Sequence, residues 1–357
     1  MASELLPALS RRGHEVVVLT ERSRPELPAE DEHRGIPVYR FPFVASLRDV
    51  DRLSEIRQRL LQLKRNFAPD LSHTVALGAT DFYYDICADV LPTPRLVSLH
   101  GEWPQRYRRL LRTALSSADR LVCDSTATLD YARSLVPGIE ASSSVIRNAV
   151  KVPRLAPTSL PFDRPTVLYL GRLSQEKGVD LAVTAFASVV QRHPDVRLVL
   201  AGDGPERDAL QRQVIRLGVV DAVRFAGWVA EEDVPALLNT AVMLILPSRA
   251  DSFPLAALQA SLMERPIVAA RVGGLPELVV DGETGRLAEK EDGEALAEAV
   301  CGLLSRPEDA VRMGRAARRR ALESFPFERL VDQYEAVYRK VGRDWSECCD
   351  KDDIVRG

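Results

Sequence analysis

Short apolar runs alternate with stretches of helical period from one end of this chain to the other. Ten runs read as strands: Val16–Thr20, Val38–Phe41, Leu96–His100, Leu121–Asp124 and Ser144–Arg147, then Thr166–Leu170, Arg197–Ala201, Val223–Ala226, Met243–Leu246 and Pro266–Ala270. Between them lie segments such as Glu4 to Arg12, with Leu5, Leu6 and Leu9 apolar, and Phe325 to Gly342, with Leu330, Tyr334, Val337 and Tyr338 at helical spacing. Strand and helix in alternation is the pattern of parallel sheets covered by helices, so the fold class is α/β. The strands fall into two groups of five, and residues 151–166 between the groups hold four prolines, a stiff stretch that predicts an interdomain linker. The expected division is a first domain over 1–152, a second over 153–325, a helix over 326–342 that crosses back to the first domain, and a polar, aperiodic tail over 343–357 that is expected to be disordered.

At 357 residues the chain exceeds one comfortable core, which agrees with two domains. The formal charge is +1 over residues 1–150 and −4 over the rest, too balanced for a nucleic-acid partner. Five cysteines, odd in number and without CxxC spacing, support neither a disulfide framework nor a zinc site, and point to a reducing cytosol. There is no apolar run of 18 residues and no charged-then-apolar leader, so neither a membrane span nor a secretion signal is expected.

Candidate chemistry is concentrated from Pro247 to Gly285. Pro247 ends the strand Met243–Leu246, and Ser252 with Pro254 is expected to open a helix running through Ala256, Ala257, Leu258 and Leu262. Unpaired N–H groups and the positive dipole end at such a start suit a diphosphate. Asp251 stands at its mouth, Phe253 and Leu255 flank it, and Gln259 follows about two turns deeper. A second loop, GRLSQEKG, follows the strand Thr166–Leu170; Gly171 and Gly178 let it turn tightly while Arg172 and Lys177 face one spot. Gly202 and Gly204 in AGDGP, Gly227 before Trp228, and Gly273–Gly274 permit close approach of a ligand to main chain, with Trp228 and Val229 as a floor for a base. AGDGPER lacks the third glycine of a dinucleotide fingerprint.

His100 closes a strand, where ligands of open α/β sheets bind. His14, His33, His73 and His193 show no paired ligand spacing. Acidic triplets at Asp49–Asp51 and Asp350–Asp352 are of the frequency chance supplies, and no metal is expected. Trp103, Arg106, Tyr107, Arg108, Arg109 and Arg112 are expected on one helix, either a solvated basic face or a surface for an anionic acceptor or lipid headgroups.

The stretch from Thr166 to Val229, together with Pro247 to Gly285, resembles the retaining glycosyltransferases of family 4. Fainter matches lie in SRRGHEVVVLT, VSLHG, ADRLVCDS and VIRNAV of the first half. The resemblance implies the GT-B fold, two Rossmann-like domains with parallel sheets facing across a cleft, the second holding the donor and the first meeting the acceptor. It implies a retaining, metal-independent transferase moving a sugar from a UDP- or GDP-sugar to an acceptor hydroxyl, with no cofactor beyond that donor. The acceptor class stays open: a sugar, a lipid-linked sugar or a small molecule. The implied location is the cytoplasm, with peripheral contact at the inner membrane face as an option.

Residue by residue, the resemblance implies that Arg172 and Lys177 stabilise the leaving diphosphate and that Asp251 contacts the donor sugar. Gln259 bonds the ribose, and His100 faces the donor sugar. The family carries Glu, seven residues, then Glu where this chain has Asp251 and Gln259, a shorter acid and a neutral amide. That departure favours a rival reading, a donor-binding protein with weakened transfer; an epimerase of similar fold is a third. In the family a strand and glycine-rich loop precede the helix corresponding to Glu4–Arg12. The expectation is that both lie upstream of Met1 and that the first domain is loosened without them.

Overall fold

Residues 2–46, 49–75, 79–88, 90–103 and 105–348 are described by a computed structural model. The chain forms two compact units, Met1–Ile146 with Glu328 onward, and Arg147–Phe327.

In the first unit, β1 (Val18–Glu21), β2 (Glu30–His33) and β3 (Ile36–Phe41) make a sheet of order β1-β3-β2, in which β2 runs antiparallel to β3. A separate, wholly parallel sheet holds β4 (Ser72–Thr74), β5 (Arg95–Leu99), β6 (Arg120–Cys123) and β7 (Ser143–Val145). The five apolar strands expected in this half are present with slightly moved ends, yet they divide between two sheets. Among the described residues β1 pairs only with β3, and β4 only with β5. β2 escaped the periodicity because its sequence, EDEH, is polar and wholly exposed.

The last helix, Phe327–Cys348, belongs to this unit. Arg12 reaches Asp332 at 2.7 Å, Glu335 at 2.8 Å and Glu328 at 3.1 Å. His73 on β4 lies 2.8 Å from the Tyr338 hydroxyl and 2.7 Å from the Ser98 hydroxyl, and Ser98 is 3.3 Å from the Tyr334 hydroxyl. The helix overturns the expected tail as far as Cys348: no helix breaker follows Gly342, and adding a residue to a formed helix is favourable where nucleating one is not. The rest of that tail, 349–357, lies outside the described residues.

The second unit is one parallel sheet of β8 (Thr166–Leu170), β9 (Arg197–Ala201), β10 (Val223–Gly227), β11 (Met243–Leu246), β12 (Ile267–Ala270) and β13 (Gly285–Ala288), in the order β10-β9-β8-β11-β12-β13. Period-2 packing explains why these strands read as continuous apolar runs. Val167, Tyr169, Met243 and Ile245 pack into one buried cluster, while Leu168, Leu244 and Leu246 pack into another. β13 was not expected because GRLA carries little apolar signal. The proline-rich stretch packs within this unit. The buried Arg265 guanidinium donates to the carbonyls of Leu238 at 2.9 Å and Thr158 at 2.8 Å, and to Asn239 Oδ1 at 2.8 Å.

Candidate functional site

Strand order runs β8-β9-β10 to one side of β8 and β11-β12-β13 to the other, so the chain reverses direction across the sheet at β8. At such a switch point the loops leaving neighbouring strands part and open a crevice at the carboxyl edge. Lys177 comes from the loop after β8 and Asp251 from the loop after β11. The Lys177 amine donates to Asp251 Oδ2 at 2.8 Å, and Ser248 Oγ donates to the same oxygen at 3.0 Å. The Asp251 side chain is 6% exposed and that of Lys177 28%, so the pair is shielded but reachable from solvent.

Bare backbone lets these loops close up. Gly178 has φ +62°, and a Cβ there would lie 2.1 Å from the Pro247 carbonyl oxygen. Gly273 has φ +52°, and a Cβ there would lie 1.7 Å from the carbonyl oxygen of Asp251, so the loop after β12 rests directly on the acid's backbone. After β9, Gly202 donates to the Gly227 carbonyl at 2.7 Å and lies against Gly171.

The helix after Asp251 spans Leu255–Leu262, with Pro254 in the cap position and no side-chain cap bond. It therefore starts later than expected: Ser252 is not its cap, since ψ 126° keeps Pro254 extended until Leu255. Buried Phe253 is held from behind, where Asn148 Nδ2 donates to its carbonyl at 3.2 Å and Phe325 packs edge-on at 5.3 Å. Leu255 and Gln259 are half-buried on this helix.

Arg172 is exposed, and its backbone carbonyl accepts from the buried Tyr169 hydroxyl at 2.6 Å. Burial, aided by the charges of Asp251 and Glu176, pushes the Tyr169 phenol above its ordinary range, so it stays a neutral donor. Trp228 is 82% exposed, whereas Val229 is half-buried against the β8–β11 core cluster. An exposed indole is a stacking surface rather than a packed floor, which corrects the expectation in part.

Arg249 has no place in the sequence reading. Its guanidinium holds both oxygens of Asp180 at 2.7 and 2.8 Å and the Gln175 carbonyl at 2.9 Å, and its Nε donates to Glu291 at 2.8 Å. The Arg249 bonds hold the Asp180 carboxyl below its usual range, against a smaller opposing effect of burial. Asn148, Ser248 and Tyr169 were also missed. Arg249 and Ser248 lie inside the stretch the sequence singled out, but their partners are distant or of unmarked type.

In the first unit His100 follows β5 directly. Its Nδ1 is 3.2 Å from Oδ2 of Asp124, which is 1% exposed and also accepts from Thr128 at 2.9 Å. A buried carboxylate fixes the ring orientation and favours the tautomer with its proton on Nδ1. The basic cluster is not one helix: the helix is Arg108–Ser116, and half-buried Trp103 lies before it, its backbone bonded to the Tyr131 hydroxyl. Arg106 has no described side chain. Asp49 of the first acidic triplet caps a helix by accepting from the Arg52 N–H at 3.2 Å, and the second triplet lies outside the described residues.

Residues 156–320 match the family of glycosyl transferases group 1, and residues 1–154 match glycosyltransferase family 4. A glycogen synthase of Mycobacterium tuberculosis (strain H37Rv) is 31% identical over 312 residues, covering 79% of this chain and 72% of that protein. Among solved structures, a sucrose-phosphate synthase from Thermosynechococcus elongatus superposes with a TM-score of 0.84 at 24% identity, covering 95% of this chain and 92% of that one. HepE of Anabaena, in complex with UDP and glucose, gives 0.75 at 22% identity, covering 90% of this chain and 99% of that one. No helix among the described residues is long and apolar enough to cross a membrane.

Proposed function

The chain belongs to glycosyltransferase family 4 and has the GT-B fold, and on that footing we propose that it moves a sugar from a UDP- or GDP-sugar to an acceptor hydroxyl, with retention and without a metal ion. The observation that carries the reading is the Lys177 amine at 2.8 Å from Asp251 at the topological switch point, beside the start of helix Leu255–Leu262.

Departure of a nucleoside diphosphate builds negative charge on its terminal phosphate. Lys177 and the exposed Arg172 supply fixed positive charge there, and the N–H groups of Leu255 and Ala256 add the end of a helix dipole. Asp251 receives Lys177 and Ser248 on Oδ2, which leaves Oδ1 to accept from a donor-sugar hydroxyl. Trp228 and Val229 offer a face to the base, with Gly171 and Gly202 beneath the nucleotide and Ser252, Phe253 and Leu255 flanking the phosphates. Gln259, two turns into the helix, takes the ribose hydroxyls. His100, steadied by Asp124, is the sugar-positioning residue that the family resemblance implies. The acceptor is a sugar, a lipid-linked sugar or a small molecule.

Calorimetry with UDP and GDP, followed by product NMR with the matching donors, tests the reading. It expects binding of one diphosphate, turnover unaffected by a chelator, and the donor's anomeric configuration in the product. An inverted product or loss of turnover with chelator would overturn it. Gln259, a neutral amide where the family has an acid, favours one rival: binding without turnover.

A further inference from the structure

We propose that Arg249 is the positioning residue of the donor site, acting through Lys177. This rests on the reading of Lys177 as the group that meets the diphosphate. Lys177 lies in a short loop between Ser174 and Asp180, and a flexible lysine stem holds an ammonium in place only if the loop beneath it is fixed. Arg249 fixes it at three points along its length. The Arg249 backbone N–H donates to the Glu176 carbonyl at 2.8 Å. Its guanidinium donates to the Gln175 carbonyl at 2.9 Å and grips Asp180 with two parallel bonds at 2.7 and 2.8 Å. The residues held are therefore the ones immediately before Lys177 and the first helical turn after it.

Arg249 is itself only two residues from Asp251 and is braced from outside by Glu291 at 2.8 Å. One guanidinium thus joins the loop carrying the cation to the loop carrying the acid, and sets the span across which Lys177 and Asp251 meet. The planar fork matters: a lysine at this place could satisfy one of these acceptors but not the bidentate Asp180 and the carbonyl together. Four of the five guanidinium N–H donors are taken up by Asp180, Gln175 and Glu291, so Arg249 is assigned to the loop and not to the substrate.

The test is a double-mutant cycle read by calorimetry. UDP and GDP are titrated into the wild-type protein, and the tighter of the two is carried forward with its parent nucleoside as a control. Arg249→Ala, Arg249→Lys, Lys177→Ala and the double variant Lys177→Ala/Arg249→Ala are then compared. Arg249→Ala is expected to weaken the diphosphate roughly tenfold, within the range for residues coupled in one network, and to leave the nucleoside within about twofold. Arg249→Lys should rescue little of that loss. In the Lys177→Ala background the Arg249 substitution should cost about twofold or less.

An equal loss with and without Lys177, or an equal loss for nucleoside and diphosphate, overturns the inference and marks Arg249 as a general structural support. Undiminished diphosphate binding by Arg249→Ala overturns it as well. Should Arg249→Ala fail to fold, Asp180→Asn carries the same cycle, because it weakens the grip on the loop while leaving the bonds to Gln175 and Glu291. The failure of the underlying reading looks different: Lys177→Ala by itself would then bind the diphosphate as the wild type does.

Discussion

Buried His73 gives the first unit a calculable acid sensitivity. Burial, with a further push from nearby His100, lowers the imidazole from 6.5 to about 3, so in the folded chain it stays neutral at any physiological pH. Unfolded, it takes up a proton near pH 6.5. Its folded pKa is the lower one, so the unfolded state binds more protons between about pH 6.5 and 3. The stability it contributes is complete above 6.5 and drains away as pH falls through that window. Each pH unit inside the window costs about 1.4 kcal/mol, so going from pH 7.5 to 5.0 should cost about 2 kcal/mol. That is a large share of a domain stability of about 5 to 15 kcal/mol.

The assay is urea unfolding of the full chain at pH 7.5, 6.5, 5.75 and 5.0, followed by a signal from the first unit, for wild type and His73→Gln. The variant loses the ring that bridges Tyr338 and Ser98 and should be less stable at pH 7.5 by about 1 to 3 kcal/mol. Across the series it should nonetheless lose about 2 kcal/mol less than the wild type does. Stopping at pH 5.0 keeps Glu335 out of the comparison: Arg12, the first of its bonding partners, helps hold that carboxyl down to about 2. A variant with the same slope as wild type would refute the assignment.

Lys177→Ala should raise the barrier to turnover by about 2 to 4 kcal/mol, as for removal of a fixed charge facing a leaving group, and Arg172→Ala by a similar amount; steady-state release of nucleoside diphosphate measures it, and activity within a few-fold of wild type would count against both. Gln259→Glu should tighten the bound diphosphate by about 1 kcal/mol, the difference between a charge-assisted and a neutral hydrogen bond, and unchanged affinity by calorimetry would mean that the amide does not meet the ribose. Gly273→Ala forces a left-handed backbone and a Cβ 1.7 Å from the Asp251 carbonyl oxygen, so thermal unfolding should show a loss exceeding the roughly 1 kcal/mol of the backbone strain itself, together with collapse of donor binding.

Five of the six strands of the second unit, and the two loops that carry Lys177 and Asp251, were legible in the amino-acid sequence alone. β8, β9 and β11 read off as apolar runs because both faces of each are buried, and helix packing on both faces leaves few polar positions to blur the signal. Gly178, Lys177 and Asp251 were legible from local turn chemistry, since a glycine-rich loop after a strand and an acid before a helix are short-range patterns. Pairing was a different matter. That Lys177 meets Asp251 follows from β8 and β11 being neighbours at the point where strand order reverses, a fact of topology that no local window contains. Arg249 shows the same limit more sharply: its side-chain acceptors are 42, 69 and 74 residues away, so no local window marks it. Likewise β2, β4 and β13 exist because a neighbouring strand offers them hydrogen bonds, and not because their own side chains ask for a sheet. Residues carry their local geometry in their chemistry; which distant residue completes a hydrogen bond is settled only when burial of the whole core selects one arrangement of strands.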